Sequence, residues 1–541
     1  MKQKIRIVII AVALIALCGV AIMSGISLPK SVSASTSGFQ EQMALPTDIH
    51  VLLEVQQFSS ATIDDNFADN VVLVVLNKEA TFSNSRSRSF SEINYTRIDD
   101  LTELTSNIVE KQQRAERTRD WGALQSRADS NMLVETDNFR RILRIELEER
   151  CKQNVLNAIR LLETRGDVLY VGPDYIMRPL SSSFQVHPSP APIHYAHQWS
   201  FDNIDLQYAW NITAGSSDIR VGVIDSGIDI THPDLVDRVC TYLSRDFSFN
   251  DNPDPFFDDA GHGTHVAGII GANRDMGVPG VIGVAWDVTL VSLKFMHNRT
   301  GNSSNALMAI DFATYKGIEI LNFSAGWWDS DPGQFSEYVY SLYRAIQNFP
   351  GLFIAAAGNN GYDNDANGTF PTNYRLTNLI SVGSLSRNND RSWFSNWGVN
   401  TVDVFAPSGD FDFETGDVIL STFPELYYGL FSWEFYTSFA KGYALTSGTS
   451  MAAPHVAGVA ALIMSAHPNL SARQVRNAIL DGAIPTEITL PNGSTQNVVR
   501  LNAYYALLAA ADTGPRFIYI ESTSSYAVCL VDATDEIVYS L

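Results

Sequence analysis

The feature that most constrains this chain is an alternation of short apolar segments with helical stretches between about residues 198 and 511. Strands that alternate with helices are typical of a parallel sheet covered by helices on both faces. The sequence therefore predicts an α/β domain with a central, mostly parallel sheet. The expected strands lie at 219–224, 289–295, 318–323, 352–357 and 379–382, and the expected helices include 264–271, 305–315 and 335–348.

Residues 35–180 have a different texture and predict a small α+β unit. Strand-like segments occur at 71–76, 143–147 and 167–171, and a one-sided apolar pattern precedes the last of them. Residues 181–197 are rich in Ser and Pro, which indicates an exposed and easily cut linker. Residues 512–541 resemble two short strands appended to the domain.

Residues 1–34 have the parts of a secretory signal. Three basic residues within the first six positions precede an uncharged run at 7–26 and a small-x-small site at 32–34. The run is also long enough to cross a bilayer, so an uncleaved anchor is the alternative. We expect the rest of the chain to be secreted, or else held at the cell surface. Contact with a membrane is expected only if the signal stays uncleaved.

Charge and cysteine content exclude several classes of protein. The chain carries 37 Lys and Arg against 59 Asp and Glu, a formal net charge of −22. Bulk attraction to nucleic acid is therefore not expected. The four cysteines form no CxxC pair, so a zinc ribbon or disulfide scaffold is not the framework. Cys240 and Cys529 could pair only if the tail folds back onto the α/β domain.

Three polar residues stand at element ends inside the α/β region. Asp225 closes an apolar strand, His262 lies between two glycines at a helix start, and Ser450 precedes a helix of small residues. Each has a structural alternative taken alone: a turn-capping Asp, a helix-capping His and an N-cap Ser. Together with His265, His262 could suggest a metal, but no third nearby ligand or following Glu supports zinc hydrolysis.

Taken together, the three residues form a chemically coherent set. A serine hydroxyl needs a base to remove its proton, and a histidine serves if a buried carboxylate fixes its tautomer. The order along the chain is Asp, His, Ser, and the serine lies in Gly-Thr-Ser-Met-Ala at 448–452. An esterase of the α/β-hydrolase type is disfavoured, because it requires GxSxG and the order Ser, Asp, His.

These motifs closely resemble those of the subtilisin-like serine peptidases, or subtilases, over residues 198–511. The resemblance implies a three-layer α/β fold in which Asp225 orients the base, His262 is the general base and acid, and Ser450 is the nucleophile. A fourth segment, Ala-Ala-Ala-Gly-Asn-Asn-Gly at 355–361, agrees. By the same resemblance Asn359 donates its side-chain amide to the oxyanion, with the backbone N–H of Ser450 as second donor.

The resemblance also implies how polypeptide substrates bind and how the enzyme is made. A substrate would add as a strand to one edge segment, beside a first specificity pocket that suits a large apolar side chain. Residues 35–180 would be a prodomain that inhibits the enzyme until the chain cuts itself within 178–197. The implied substrate-binding residues are Ser324, Ala325, Gly326, Ala356 and Gly358.

Subtilases need no cofactor for catalysis, but many hold structural calcium. Asp234 matches a family ligand position, and Asn273 and Asp275 lie in the loop where the family often holds the same ion. An ordinary polar loop is the alternative. The loop at 423–443 is unusually aromatic, and it either forms a satellite core or lines the cleft.

The sequence thus predicts a secreted serine endopeptidase that acts through an acyl-enzyme and is made as a self-processed precursor. A maturation protease with a narrow target is the alternative within enzymes. A catalytically silent binding protein that kept the fold is the alternative outside them.

Overall fold

The computed structural model describes part of the chain, in several stretches. The predicted signal at 1–34, most of the linker and most of the aromatic loop lie outside it. The described residues are 61–63, 65–76, 90, 93–105, 141–180, 185–186, 197–249, 253–274, 280–328, 340–425, 442–511, 516–522, 525–531 and 537–540.

The described residues between 61 and 180, here called the front unit, form one antiparallel sheet and a helix. The sheet has the order β4-β1-β3-β2. Helix α1 buries Val155, Ile159 and Leu162 in the same cluster as Val72 and Val74 of β1. Val155, Ile159 and Leu162 are separated by four and then three positions, so they lie on one side of α1 and form its apolar face. The elements are β1 Phe67–Leu76, β2 Tyr95–Asp100, β3 Ile142–Leu147, α1 Lys152–Leu162 and β4 Val168–Pro179.

The larger part of the structure alternates strands and helices as predicted. Its elements are β5 Gln185–Val186, α2 Ser200–Asn203, α3 Leu206–Ala209, β6 Arg220–Asp225, β7 Arg245–Asp246, α4 His262–Gly271, β8 Thr289–Lys294, β9 Met296–His297, β10 Thr300–Asn302, α5 Ser303–Lys316, β11 Ile320–Phe323, β12 Ala325–Trp328, α6 Tyr340–Asn348, β13 Leu352–Ala356, β14 Thr369–Phe370, β15 Leu379–Leu385, β16 Val404–Pro407, β17 Gly409–Asp412, β18 Asp417–Thr422, β19 Tyr443–Thr446, α7 Thr449–Ala466, α8 Ala472–Asp481, β20 Ile484–Thr489, β21 Thr495–Arg500 and α9 Ala503–Ala511.

The central sheet has nine strands in the order β20-β21-β16-β15-β13-β11-β6-β8-β7. Its neighbours pair in parallel except β20 and β21, which are antiparallel. Successive side chains of a strand point to opposite faces. In β11, Ile320 packs in the cluster that contains α4 and α7, and Leu321 packs with α5 and α6. The predicted α/β architecture with a mostly parallel sheet is confirmed.

Helix α7 lies in the core beside the sheet. It is the helix among the described residues that is long and apolar enough to cross a membrane, and 89% of its apolar window is buried inside the protein. It also begins earlier than the small-residue run at 452–463 indicates, at Thr449. Ser450 is therefore inside its first turn.

The tail differs from the expected pair of strands. Three antiparallel strands are present: β22 Arg516–Ser522, β23 Ser525–Val531 and β24 Ile537–Ser540. The third strand is only four residues long, which is too short for a clear alternation pattern. Cys240 is a free thiol in the structure, and Cys529 lies in β23.

Candidate active site

Asp225 and His262 form a buried hydrogen-bonded pair. Strand β6 ends at Asp225 and helix α4 begins at His262, and both side chains are almost fully buried. The imidazole Nδ1 lies 2.8 and 2.9 Å from the two carboxylate oxygens. A carboxylate accepts hydrogen bonds, so Nδ1 is the donor, and in the neutral imidazole Nε2 then presents a lone pair. This tautomer is the one that a general base requires.

Asp258 ties the segment that carries His262 to the end of β6. One carboxylate oxygen accepts from Ser226 Oγ at 2.7 Å and from the Gly261 N–H at 2.8 Å. The other accepts from the N–H and hydroxyl of Thr264, at 2.8 and 2.6 Å. Burial raises the pKa of the Asp258 carboxyl, and the hydrogen bonds from Thr264 and Ser226 oppose that effect. The sequence motifs did not identify Asp258, although the acidic pair directly before Ala-Gly-His at 260–262 is a visible signal.

Gly261 fills a position that no other residue could take without a shift. Its φ of 72° lies in the left-handed region, which favours glycine. A Cβ there would also collide with the ring of Phe423, which packs directly on the Gly261 backbone. Phe423 opens the aromatic loop, so the described start of that loop lies against the residue before His262.

Ser450 is the second residue of α7, and its side chain is buried. Its hydroxyl donates to the Ser324 carbonyl at 2.9 Å, and the Ser324 hydroxyl donates to the Ser450 carbonyl at the same distance. The first N–H groups of a helix have no intrahelical acceptor, and the helix dipole is positive there. The backbone around Ser450 is therefore suited to stabilise negative charge.

Asn359 holds the carbonyl oxygen of Leu180. Its side-chain oxygen accepts from the N–H and hydroxyl of Thr449, at 2.9 and 2.8 Å. Those two bonds orient the amide, because they leave its Nδ2 as the donor that faces away from Thr449. Nδ2 donates to the carbonyl of Leu180, the last residue of the front unit.

Residues 178–180 lie on β12 as an added antiparallel strand. The Leu180 N–H donates to the Ser324 carbonyl at 3.1 Å. Pro179 pairs with Ala325, and Arg178 pairs with Gly326. This is the way an extended peptide binds to an exposed sheet edge.

After Leu180, the next described residues pair with the strand that precedes Ser450. Gln185 and Val186 of β5 pair with Leu445 and Ala444 of β19, which lie five and six residues before Ser450.

The Leu180 side chain is buried in the apolar cluster that contains Ala356. Gly358, with a φ of 111°, packs against Asn396 and Thr369, where a Cβ would collide with the Asn396 amide. The Thr369 hydroxyl lies 3.1 Å from the Asn396 amide nitrogen. Of the predicted pocket residues, Gly326 lies beside Leu180, since a Cβ there would be 3.5 Å from the Leu180 Cδ1.

Two further histidines of the motifs have other partners. His265 Nε2 lies 3.2 Å from the Ala444 carbonyl, and His455 Nδ1 lies 2.7 Å from the Met451 carbonyl. Burial lowers the pKa of His265 to about 3 and that of His455 to about 4. Both rings are therefore neutral above pH 5 and bind backbone carbonyls, whereas His262 binds a carboxylate.

Two of the three predicted calcium ligands lie among the described residues. The Asp234 carboxylate accepts from the Val281 N–H at 3.0 Å and from the Tyr443 hydroxyl at 2.9 Å. The Asn273 N–H donates to the Asp234 carbonyl, and Asp275 lies outside the described residues. No group of three acidic, His or Cys side chains that could hold a metal occurs in the described part of the chain. Calcium binding therefore stays a prediction.

Comparisons with known proteins agree on one family. The model of the subtilase family, Peptidase_S8, matches residues 216–506. A thermophilic serine proteinase of Bacillus sp. (strain AK1) is 32% identical over 361 residues, which are 65% of this chain and 76% of that protein. Subtilisin DY of Bacillus licheniformis is 35% identical over 266 residues, 49% of this chain and 82% of that protein.

Among solved structures, the crystal structure of a lanthipeptide protease has 28% sequence identity and a TM-score of 0.47. The match covers 58% of this chain and 94% of that one. The span matched by the family model includes Asp225, His262, Asn359 and Ser450.

Proposed function

Because this chain belongs to the subtilase family and is a serine endopeptidase, we propose that it cleaves its own precursor at the Leu180–Ser181 bond and then hydrolyses other polypeptides. One observation carries the proposal. The Leu180 carbonyl is held by the Asn359 amide while residues 178–180 pair with the edge of β12. The signal at 1–34 supports a secreted enzyme.

The first step of the proposed reaction is acylation of Ser450. The hydroxyl turns from Ser324 towards His262, gives its proton to Nε2, and its oxygen attacks the Leu180 carbonyl carbon. Negative charge develops on the Leu180 oxygen. The Asn359 amide already donates to that oxygen, and the Ser450 N–H at the start of α7 is the second donor. The charge on Asp225 stabilises the imidazolium that forms.

The second step breaks the peptide bond and frees the enzyme. His262 returns its proton to the nitrogen of residue 181, which leaves as an amine, and Leu180 remains as an ester on Ser450. A water molecule then gives a proton to His262 and attacks the ester, which releases the Leu180 carboxylate and restores the serine. Cleavage of other polypeptides follows the same course with their own strand on β12.

We include the front unit in this proposal as an inhibitor that stays bound after the cut. The Asp174 carboxylate of β4 accepts from the hydroxyls of Ser303 and Ser304, at 3.0 and 2.7 Å, and from the Ser304 N–H at 3.0 Å. These residues begin α5, where a buried carboxylate caps the helix and complements its dipole. Such contacts do not depend on the Leu180–Ser181 bond, so they persist when it is cleaved.

The proposed cleavage position is tested by N-terminal sequencing of the protein after incubation. The purified full chain should yield a mature form whose first residue is Ser181, because Leu180 is the residue whose carbonyl Asn359 holds. Intact mass of the released front unit gives an independent reading of the same bond. A mature form that starts elsewhere in 178–197, with the 180–181 bond intact, would contradict this position.

A further inference from the structure

Trp327 continues the strand edge that holds residues 178–180. It follows Gly326 in β12 and pairs with Phe370 of β14. The two rings are stacked, with centroids 5.6 Å apart and an angle of 23° between their planes. Both residues belong to the larger part of the structure, so they remain on the enzyme after the proposed cleavage.

A third ring covers this stack, and it comes from the front unit. Tyr175 lies parallel to Trp327, with centroids 6.0 Å apart and an interplanar angle of 18°. Counting backwards from Leu180 as the first residue, Tyr175 is the sixth. Its other side meets the edge of Phe67, with centroids 6.2 Å apart. All three rings of the stack are at least nine-tenths buried in the precursor.

The strand register explains why the sixth residue reaches Trp327. Ala325 pairs with Pro179 and Gly326 with Arg178, and extending this antiparallel register by one residue brings Trp327 opposite Met177, on the same face. Tyr175 is the diagonal neighbour of Trp327 on that face, and aromatic side chains are long enough to span the diagonal distance. Any peptide that adds to β12 in this register places its own sixth residue at the same point.

We propose that Trp327 and Phe370 form a distal subsite that selects an aromatic side chain six residues upstream of the cleaved bond. The inference rests on the proposed endopeptidase function and adds a substrate preference to it. Departure of the front unit removes the Tyr175 ring from Trp327. A flat, apolar indole face gains most from another aromatic ring, because stacking adds to the burial of apolar surface. Long substrates with a Phe, Tyr or Trp at that position are therefore favoured.

The test compares peptides on the mature enzyme. One fluorogenic peptide copies residues 175–180 (Tyr-Ile-Met-Arg-Pro-Leu) before the reporter amine, a second has Ala in the first position, and a third is Arg-Pro-Leu alone. We expect the Tyr peptide to exceed the Ala peptide about tenfold in kcat/KM. In Trp327→Ala the ratio should fall close to one. Hydrolysis of Arg-Pro-Leu by the same variant is the reference for general damage, because that peptide ends before the sixth position.

The matched variants separate a subsite from general damage. Trp327→Phe keeps a ring and should retain most of the preference for the Tyr peptide. Trp327→Leu keeps bulk without a ring and should lose that preference. The Leu variant replaces the Ala variant in the test if the Ala variant does not fold. Equal hydrolysis of the Tyr and Ala peptides by the unmodified enzyme would overturn the subsite alone. The subsite would also be overturned if the ratio of kcat/KM between the Tyr and Ala peptides were unchanged in both Trp327→Ala and Trp327→Leu. Failure to hydrolyse any of the three peptides would overturn the peptidase proposal beneath it.

Discussion

Replacement of Ser450 by alanine should leave the chain at its full precursor length and lower peptide hydrolysis by about a million-fold. That factor is the loss known for the corresponding serine of subtilisin, a relative of this chain. The reason is the loss of the only oxygen that the proposed first step delivers to the Leu180 carbonyl. Asn359 and the start of α7 would still bind the carbonyl, so residual catalysis should come from them.

The measurement is the intact mass of the purified protein with time, together with casein hydrolysis. Ser465→Ala is the matched control: it lies in the same helix, and its hydroxyl donates to the Ala461 carbonyl. The control should process normally. Appearance of a mature-sized product from purified Ser450→Ala protein would show that another group, or another protease, makes the cut.

Replacement of Asp225 by asparagine should lower kcat by about 10⁴-fold near pH 7. Both oxygens of the Asp225 carboxylate accept a hydrogen bond from His262 Nδ1, at 2.8 and 2.9 Å. An asparagine that turns its NH₂ group to Nδ1 would favour the opposite tautomer, whose Nε2 is protonated and cannot act as a base. The negative charge that stabilises the imidazolium is also lost.

Steady-state kinetics with a peptide that ends in Leu before the reporter checks this result. KM should change by only a few-fold, because residues 178–180 are held by Ser324, Ala325, Gly326 and Asn359 rather than by Asp225. Asp229→Asn is the control, since the Asp229 carboxylate accepts from Thr231 in the following turn. A loss of less than tenfold in Asp225→Asn would mean that His262 does not depend on this carboxylate for its proton transfers.

The strands and the ends of the motif elements could be predicted because their signals are local. The apolar run before Asp225 predicts a strand that ends there, and β6 ends at Asp225. The glycines around His262 predict a helix start, and α4 begins at His262. Each signal lies within a few residues of the feature that it predicts, so no knowledge of the distant chain is needed.

The remaining parts of the site depend on residues far apart in the sequence. The bond between Asn359 and Leu180 joins positions 179 residues apart. The stack of Trp327 on Tyr175 needs the register of β4 on β12, which no local pattern contains. A Pro- and Ser-rich composition predicts an exposed linker from residue 181, but it does not show that the residue before it is seated beside Asn359.

Asp258 shows a different limit. Its position four residues before His262 is plain in the sequence, but an acidic residue in a loop has many possible partners. Only the fold brings its carboxylate within hydrogen-bond distance of both Ser226 after β6 and Thr264 in α4. The residue type was informative there, and the missing information was the relative placement of two loops.

The most direct test of the account is to locate the residue that reacts with a fluorophosphonate, which modifies activated serine hydroxyls. The mature protein is labelled until casein hydrolysis stops, digested and analysed by mass spectrometry. We expect one adduct per molecule, on Ser450, with loss of hydrolysis in proportion to labelling. An unlabelled Ser450 in a fully inhibited protein, or full hydrolysis with Ser450 completely labelled, would contradict it.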